Sequence, residues 1–492
     1  MLLRTMQKQT NLFTLPARLS AAAIAVLLTG CSLAPDYQQP EMPVAAQWAT
    51  GSNAQQTAAN AEQPAVDWQT FVTDPGLRQL ITLAQDNNRD LRQTLLNVAA
   101  ARAQYGIQAA DRLPTVQLQG SAARQRTPAD LRSAAEPAVQ SSYQLGAGLT
   151  AFELDVFGRV KNLTEAALQQ YLATEAAASS AQISLVADTI AAYLRLDGAR
   201  QRYELATRTR QTREVSLELV KQRQKRGAAS ELDYQDALSL LQQAEVAQQR
   251  IEREQQQAKN ALTLLTGVAD IQPYLADTAG KHAVLQQELS AGTPSALLAR
   301  RPDIVAAEHR LRSQNASIGA ARAAFFPRIS LTGLFGVSSA ELSDLFGSDQ
   351  HSWSFSPQLT LPIFDAGRNS ANLDLAKVRK DIAVAAYEQT IQVAFREVSD
   401  ALVATDTLRR EERAQQVLAL SSTERLRLSQ ARYQHGVDDY LRYLDAQRED
   451  FTQQMALVQI ETQRQIALAD LFRALGGGWS GSSVTDTGQA AP

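Results

Sequence analysis

Along most of the chain, apolar residues recur every three or four positions; in four short stretches they alternate with polar ones. Val384, Tyr387, Ile391, Phe395, Val398 and Leu402 step by three or four, as do Ile183, Val186, Ile190 and Leu194. That spacing lines one face of an α-helix. The stripe is narrow, as in a helix that packs on neighbours and keeps a polar face. Proline distribution sets the lengths. Nine of the sixteen prolines fall before residue 138, none between 138 and 272, and none between 363 and 491. Proline costs about 3 kcal/mol inside a helix, so these voids predict long helices. Glycine agrees, with only Gly198 between Arg159 and Arg226 and none between Arg368 and His435. At about 1.5 Å per residue, each span makes a rod of roughly 100 Å.

Four stretches follow the shorter period. Val116, Leu118, Gly120 and Ala122 alternate with Thr115, Gln117, Gln119 and Ser121. Tyr143, Leu145, Ala147, Leu149 and Ala151 alternate with Gln144, small glycines and Thr150. Ile329 and Leu331 alternate with Arg328, Ser330 and Thr332, and Trp353, Phe355, Leu359 and Leu361 with Ser354, Ser356, Gln358 and Thr360. Strands of about 9–11 residues with one apolar and one polar side are the signature of a transmembrane barrel. One such strand equally fits an amphipathic hairpin on soluble helices. Four of them behind an export signal favour the barrel.

The chain is also a duplication. Asn88-Arg89-Asp90-Leu91 matches Arg301-Pro302-Asp303-Ile304, and Leu113-Pro114 matches Phe326-Pro327, both at an offset of 213. Gly158-Arg159, Gly227, Tyr234 to Ala237 and Gly267 match Gly367-Arg368, Gly436, Tyr443 to Ala446 and Gly476 at an offset of 209. The slip of four residues therefore lies between Pro114 and Gly158. Internal repeats of this kind decide a fold.

The N-terminus is an address. Arg4, Lys8 and Arg18 precede a short apolar run from Leu19 to Leu28. It is too short to span a bilayer and fits a signal peptide. Leu28-Thr29-Gly30-Cys31 then resembles a bacterial lipobox, in which cleavage leaves Cys31 as the lipidated N-terminus. Ser32 follows rather than Asp, which by the enteric sorting convention favours the outer membrane. Residues 32 to 75 carry five prolines and a Gln/Ala/Asn-rich middle, the composition of an extended tether.

Composition works mainly by exclusion. A net charge of −3 over 492 residues gives no pull toward nucleic acid. The single cysteine excludes a disulfide framework. His282, His309, His351 and His435 are scattered, and no P-loop, dinucleotide fingerprint or nucleophile elbow is present. No enzyme, metal or cofactor is expected. A lipid-tethered periplasmic coiled-coil scaffold would explain the helices but leave the strands unused. A general porin would need many more strands and no rods.

Two hairpins supply four strands, whereas bacterial barrels start at about eight. An open sheet edge cannot face lipid, because its unpaired amides cost several kcal/mol each. Several chains must therefore close the barrel. Two would give eight strands and a filled lumen; three would give twelve and room for a pore.

Motifs distributed over the whole mature chain carry a family resemblance. They are Cys31-Ser32-Leu33-Ala34-Pro35-Asp36-Tyr37 and Phe152-Glu153-Leu154-Asp155-Val156-Phe157-Gly158-Arg159 in the first half. The second half adds Arg300 to Ile304, Ala320 to Pro327, Pro362 to Arg368 and Leu475-Gly476-Gly477-Gly478-Trp479. Together they resemble the TolC family of outer-membrane channels, especially the OprM and CusC branch of efflux lipoproteins. The resemblance implies a homotrimer, mainly α with a β-barrel part. A twelve-stranded transmembrane barrel, four strands per chain, would be continued by a long α-helical periplasmic barrel. It implies the exit duct of a tripartite efflux system. The partners would be a periplasmic membrane-fusion adaptor and an inner-membrane RND pump, with lipid around the barrel. The OprM likeness points to drugs as cargo and the CusC likeness to copper or silver. The expected organisation is a signal peptide over 1–30, a lipidated tether over 31–75 and a first repeat over 76–270 with a hairpin at about 115–154. A linker and equatorial segment over 271–300 follows, then a second repeat over 301–478 with a hairpin at about 328–363 and a flexible tail over 479–492.

Mechanism is expected at the helix turns. Lys221 to Gly227 and Arg432 to Gly436 each end a long helix in basic residues and a glycine. Glycine suits the C′ position, basic groups suit a helix C-terminus, and Ser230 or Asp438 suits the next N-cap. Beyond the second turn, Leu441, Asp445 and Arg448 are spaced by four and three and share one helix face. Repeated around a threefold axis, Leu441 would make an apolar constriction and Asp445 an acidic ring, with Arg448 in reach of Asp445. A plain helix surface carrying an intrahelical pair fits the same spacing. The resemblance implies that these three match the closed periplasmic gate of OprM, and that Asp233 and Tyr433 match gating positions of TolC. Asp438 and Arg442 depart from the TolC residues at their positions, so its bonding pattern does not carry over.

Overall fold

The structure, a computed structural model, describes residues 32–45, 67–133, 136–275, 284–287, 289 and 300–478. The expected signal peptide, Cys31, most of the linker and the tail from Trp479 lie outside the described residues. Helices α1 (Trp68–Phe71), α2 (Pro75–Asn87) and α3 (Arg89–Ala110) lead into strands β1 (Val116–Arg126) and β2 (Val139–Leu154). The long helices α4 (Arg159–Lys225) and α5 (Glu231–Thr266) follow. The second half repeats the order as α6 (Pro302–Ala323), β3 (Arg328–Ser339), β4 (His351–Thr360), α7 (Arg368–Gln434) and α8 (Tyr440–Ala474). Helices α4 and α7 have 67 residues each. Among the described residues, no helix is long and apolar enough to cross a membrane.

By their contacts the residues form two compact units, each drawing on both repeats. The first comprises the described parts of Met1–Pro40, Ala99–Ala173 and Ala307–Ala386. It holds one antiparallel sheet in the order β1-β2-β3-β4. Register aligns the apolar positions into a continuous face. Leu118 lies opposite Ala147, Ala147 opposite Phe335 and Phe335 opposite Trp353. The other face carries Gln117, Gln119, Ser330, Ser354 and Ser356, with Leu334 as an apolar exception. Both outer strands, β1 and β4, leave an edge unpaired within the chain.

Strand β2 corrects one detail of the expected alternation. Its register with β3 shifts between Leu149 and Phe152, where Leu149 pairs with Gly333 and Phe152 with Leu331. One extra residue makes a β-bulge. Ala151 sits there at φ 50°, and its N–H donates to the Thr332 hydroxyl at 3.1 Å. Ala151 therefore does not continue the apolar series; Phe152 and Leu154 take it over, because the bulge restores their face. The four-residue slip between the repeats lies within this hairpin, where β2 runs for 16 residues and β4 for 10, a difference partly offset by the longer link from β4 to α7.

Family motifs join the strands to the helices. Arg159 grips Glu153 through two hydrogen bonds of 2.7 and 2.6 Å, and Arg328 approaches the same carboxylate at 3.4 Å. Phe157 stacks on Phe326 with centroids 4.7 Å apart. Asp365 accepts from the N–H groups of Gly367 and Asn369, and the Asn369 amide donates to the Ala324 carbonyl.

The second unit comprises the described parts of Glu41–Val98, Thr174–Ala306 and Tyr387–Pro492. Its core gathers Phe71, Leu77, Leu80 and Ile81 around Ile190, Leu194, Leu262, Leu468 and Phe472. Phe71, fully buried, stacks on Phe472 at 4.7 Å and 5°. A single bridge pairs Val72 with Leu285. Here the narrow-stripe expectation fails. Helix α4 is buried from Ile190 through Leu194 without a break, and at Leu185, Val186 and Leu196 as well. The short N-terminal elements and α8 cover it on several sides. On α7 the stripe keeps Tyr387, Ile391 and Val398, but Ala394 and Ala401 complete it, and Phe395 is only half-buried. Gly198 is the lone glycine of α4 because Thr462 of α8 crosses there, where a Cβ would meet its hydroxyl.

Arg301 clasps this unit. Its guanidinium bonds Asp303 at 3.0 and 2.6 Å, Glu397 at 2.8 Å and the Ala474 carbonyl at 3.1 Å. Burial pulls its pKa down, but the two carboxylates outweigh that and raise it. The Arg-Pro-Asp motif thus ties the start of α6 to α7 and the end of α8.

Candidate functional site

The candidate site is the pair of helix turns in the second unit. Both close by the same backbone device. In the first, Ala228 N–H bonds the Arg223 carbonyl at 2.8 Å and Gly227 N–H bonds that of Gln224 at 2.9 Å. In the second, Val437 N–H bonds Arg432 at 2.9 Å and Gly436 N–H bonds Tyr433 at 3.0 Å. These are Schellman caps, which need a left-handed residue. Gly227 and Gly436 supply it at φ 75° and 72°.

The return helices are capped differently. Ser230 caps α5 in a reciprocal box with Asp233: Asp233 N–H donates to Ser230 Oγ at 3.1 Å and Ser230 N–H to Asp233 at 2.8 Å. The N-cap of α8 is Asp439, which accepts from Arg442 N–H at 3.0 Å, and not Asp438. Asp438 instead takes both arms of Arg432, at 2.7 and 2.9 Å, closing the turn with an ion pair. The Arg432 hydrogen bonds and charge hold the Asp438 carboxyl below the usual aspartate range.

An aromatic cluster joins the two turns. Tyr433 stacks on Tyr443 at 5.7 Å and tilts against Tyr440 at 5.2 Å. Arg223 donates to the Tyr433 hydroxyl and lies 5.3 Å over its ring. Burial raises the pKa of Tyr440, with the neighbouring tyrosines and Asp233 adding to the effect. Asp233 and Tyr433 are thus not bonded to each other. Asp233 is spent on its cap and reaches the cluster only through its charge on Tyr440.

Leu441, Asp445 and Arg448, the three positions expected to form a gate, lie on the exposed side of α8. Leu441 is 54% exposed. Arg448 meets Asp445 at 3.5 Å, with side chains 56% and 49% exposed. Behind them, polar bonds hold the helices in pairs. Asp450 accepts from Thr423 at 2.7 Å, Gln415 bonds Gln453 at 2.7 Å, and Arg464 bonds Glu412 at 2.7 Å between α7 and α8. Between α4 and α5, Gln248 bonds Thr207 at 2.9 Å and Arg202 bonds Glu254 at 3.0 Å. Sequence reading missed Arg223, Tyr440, Tyr443 and the Arg432–Asp438 pair. The Tyr433, Tyr440, Tyr443 spacing was the available signal, but a turn separates Tyr433 from the other two, so helical periodicity does not connect them.

In the first unit, the segment after Cys31 is clasped to α4 and α6. Ser32 Oγ bonds Asn162 at 2.9 Å, Arg322 donates to the Leu33 carbonyl at 3.0 Å, and Asn315 donates to the Pro35 carbonyl at 2.8 Å. Tyr37 donates to Glu308 at 3.1 Å and stacks under Arg312 at 4.9 Å. Burial and the Glu308 charge push its phenol up to about 12.

Comparison with known proteins fits this arrangement. The family model for outer membrane efflux protein matches residues 80–268 and 293–477, two stretches whose starts differ by 213 and ends by 209. The chain is 58% identical over 460 residues to outer membrane protein OprJ of Pseudomonas aeruginosa, covering 94% of this chain and 95% of that one. It is 45% identical over 476 residues to the toluene efflux pump outer membrane protein TtgC of Pseudomonas putida, covering 96% and 97%. Among solved structures, a membrane protein from Pseudomonas aeruginosa superposes at TM-score 0.87 with 56% identity, covering 92% of this chain and 99% of that one. CusC superposes at 0.79 with 38% identity, covering 91% and 100%. The family is one of efflux ducts of the outer membrane rather than of enzymes. With the duplication, the four-stranded sheet and both family stretches in register, the chain belongs to the outer membrane efflux protein family.

Proposed function

We propose that three copies of this chain close their sheets into a twelve-stranded barrel and form the passive exit duct of a tripartite RND-type efflux system. The observation that carries this is the sheet itself. It has one continuous apolar face and two unpaired edges, and β1 and β4 run in opposite directions. The β4 edge of one copy therefore fits the β1 edge of the next as another antiparallel pair, and closure removes every edge from lipid. The apolar face would meet lipid and the Gln/Ser face the lumen. The 67-residue helices α4 and α7, each about 100 Å long, would build the periplasmic duct. Cys31 would carry the acyl anchor, one residue ahead of the clasped segment. A periplasmic adaptor and an inner-membrane pump would engage the assembled duct, and no catalytic step is assigned to it.

Toxic organic solutes are the cargo class supported here, since TtgC is named for toluene. Export of copper or silver has only the CusC likeness behind it. At rest the duct would be closed by Leu441 and by the Asp445/Arg448 contacts, and docking would move the return helices aside. The test is assembly and conductance of purified protein. A heat-sensitive trimer in detergent that conducts in a planar bilayer supports the proposal. A stable monomer without conductance overturns it.

A further inference from the structure

Among the described residues, Arg213 of α4 has no acidic partner. It is 3% exposed, yet no salt bridge reaches it among the described residues. Its Nη1 donates to the Leu240 carbonyl of α5 at 2.7 Å, while Nε and Nη2 have no hydrogen-bond partner. Its Cζ lies 5.1 Å from the centroid of the Phe451 ring of α8. Burial, and then the charge of Arg448, push the guanidinium down to about 10. A buried arginine normally carries a carboxylate, because desolvating an unpaired cation is costly. Here the charged neighbour is a second cation, Arg448, which belongs to the proposed gate.

The three contacts place Arg213 where α4, α5 and α8 meet. Leu240 is on α5, while Phe451 and Arg448 are on α8, one turn apart. Motion of α8 away from α4 would open Arg213 to water and separate the two guanidinium groups. Both changes lower its energy. The arrangement described leaves the charge unsatisfied, and on the gate reading it is the closed one.

We infer that Arg213 is a positioning residue of the gate, a buried unpaired cation that acts through Arg448 to bias the closed turn toward opening. The inference rests on the gate reading of Leu441, Asp445 and Arg448. It requires the charge, not the shape, of residue 213. The Leu240 bond and the Phe451 contact would alone make Arg213 a staple whose loss loosens the tip. The two roles therefore predict opposite signs for a neutral replacement.

The experiment records spontaneous openings of the assembled channel in planar bilayers. Arg213→Met keeps length and contact with Phe451, Arg213→Gln keeps a donor for the Leu240 carbonyl, and Arg213→Lys keeps the charge. The neutral variants should open less often, roughly fivefold or more, with Arg213→Lys close to wild type. In an Arg448→Ala background, Arg213→Met should have a smaller effect, because the repulsion is already gone and only the burial of the charge remains. Neutral variants that open as often as wild type, or more often, overturn the inference. So does a failure of both neutral variants to assemble while Arg213→Lys assembles, because the residue would then be structural. The Leu441→Ala/Arg448→Ala channel is recorded alongside. If its conductance stays at the wild-type level, the gate reading fails; if it rises while Arg213→Met is silent, only the role of Arg213 fails.

Discussion

Removing the proposed Leu441 constriction should matter more than removing the ion pair beside it, and the structure gives the size of each. Arg448 and Asp445 meet at 3.5 Å, with both side chains about half exposed. Such a pair on a helix surface contributes about 0.3–0.5 kcal/mol. Three copies around an axis give about 1–1.5 kcal/mol. Leu441 is 54% exposed in one chain, so roughly half of it remains to be covered when the tips meet. Full burial of a leucine stabilises by about 1.5–3 kcal/mol; half of that in three copies gives about 3 kcal/mol. Leu441→Ala should therefore shift the closed-to-open ratio by about a hundredfold. Arg448→Ala should shift it by about tenfold at most. Relief of the repulsion from Arg213 reduces the Arg448→Ala effect further. Single-channel recording of the two single variants and the double variant gives the ordering directly. An Arg448→Ala effect equal to or larger than that of Leu441→Ala, or an unchanged double variant, would refute the reasoning.

Three further outcomes follow from the geometry. Phe71→Ala empties a fully buried site stacked on Phe472. It should cost the second unit about 3–5 kcal/mol, read as a lower denaturant midpoint; a loss under about 1 kcal/mol would contradict the packing described. The Asp438 carboxyl should titrate below the value of about 3.9 usual for aspartate, because Arg432 favours its ionised form. The Arg432–Asp438 clasp is then fully formed above that usual value and is lost only as pH falls through the depressed one. Carboxyl NMR of labelled protein, with Asp438→Asn to assign the signal, checks this, and an ordinary or raised pKa would contradict it. Cys31→Ser should abolish labelling by radioactive palmitate and leave the clasp of Ser32 to Tyr37 on α4 and α6 intact, since those contacts use Asn162, Glu308, Asn315 and Arg322. Retained labelling would remove Cys31 as the anchor.

Much of the fold was legible because its determinants are periodic or punctual. Absent prolines marked the long helices, the near-absence of glycine measured α4 and α7 to within a few residues, and alternation found all four strands. The duplication placed the slip between Pro114 and Gly158, the hairpin that contains the β2 bulge. What escaped were arrangements set by tertiary contact. Nothing local to α4 reports that the N-terminal helices will wrap its middle, so its burial on several sides reads as an ordinary stripe. The Ala151 bulge depends on what β3 offers opposite it. At the turns, the glycines and the Ser230 cap follow from local chemistry and were visible. Asp439 rather than Asp438 caps α8 because Arg432, six residues before Asp438 on α7, claims that carboxylate for itself. The tyrosine cluster and Arg213 draw on helices far apart in sequence, which no single periodicity connects.

The central claim is that β1 and β4 edges of neighbouring copies pair and that three copies close the ring. Paired cysteines on the polar face test it, with Gln117→Cys, Gln119→Cys or Ser121→Cys on β1 combined with Ser352→Cys, Ser354→Cys or Ser356→Cys on β4, in a Cys31→Ser background. Oxidation of the assembled protein should give at least one combination whose bands run as monomer, dimer and trimer and stop there. A ladder that continues past three, or no cross-link for any combination, would contradict it.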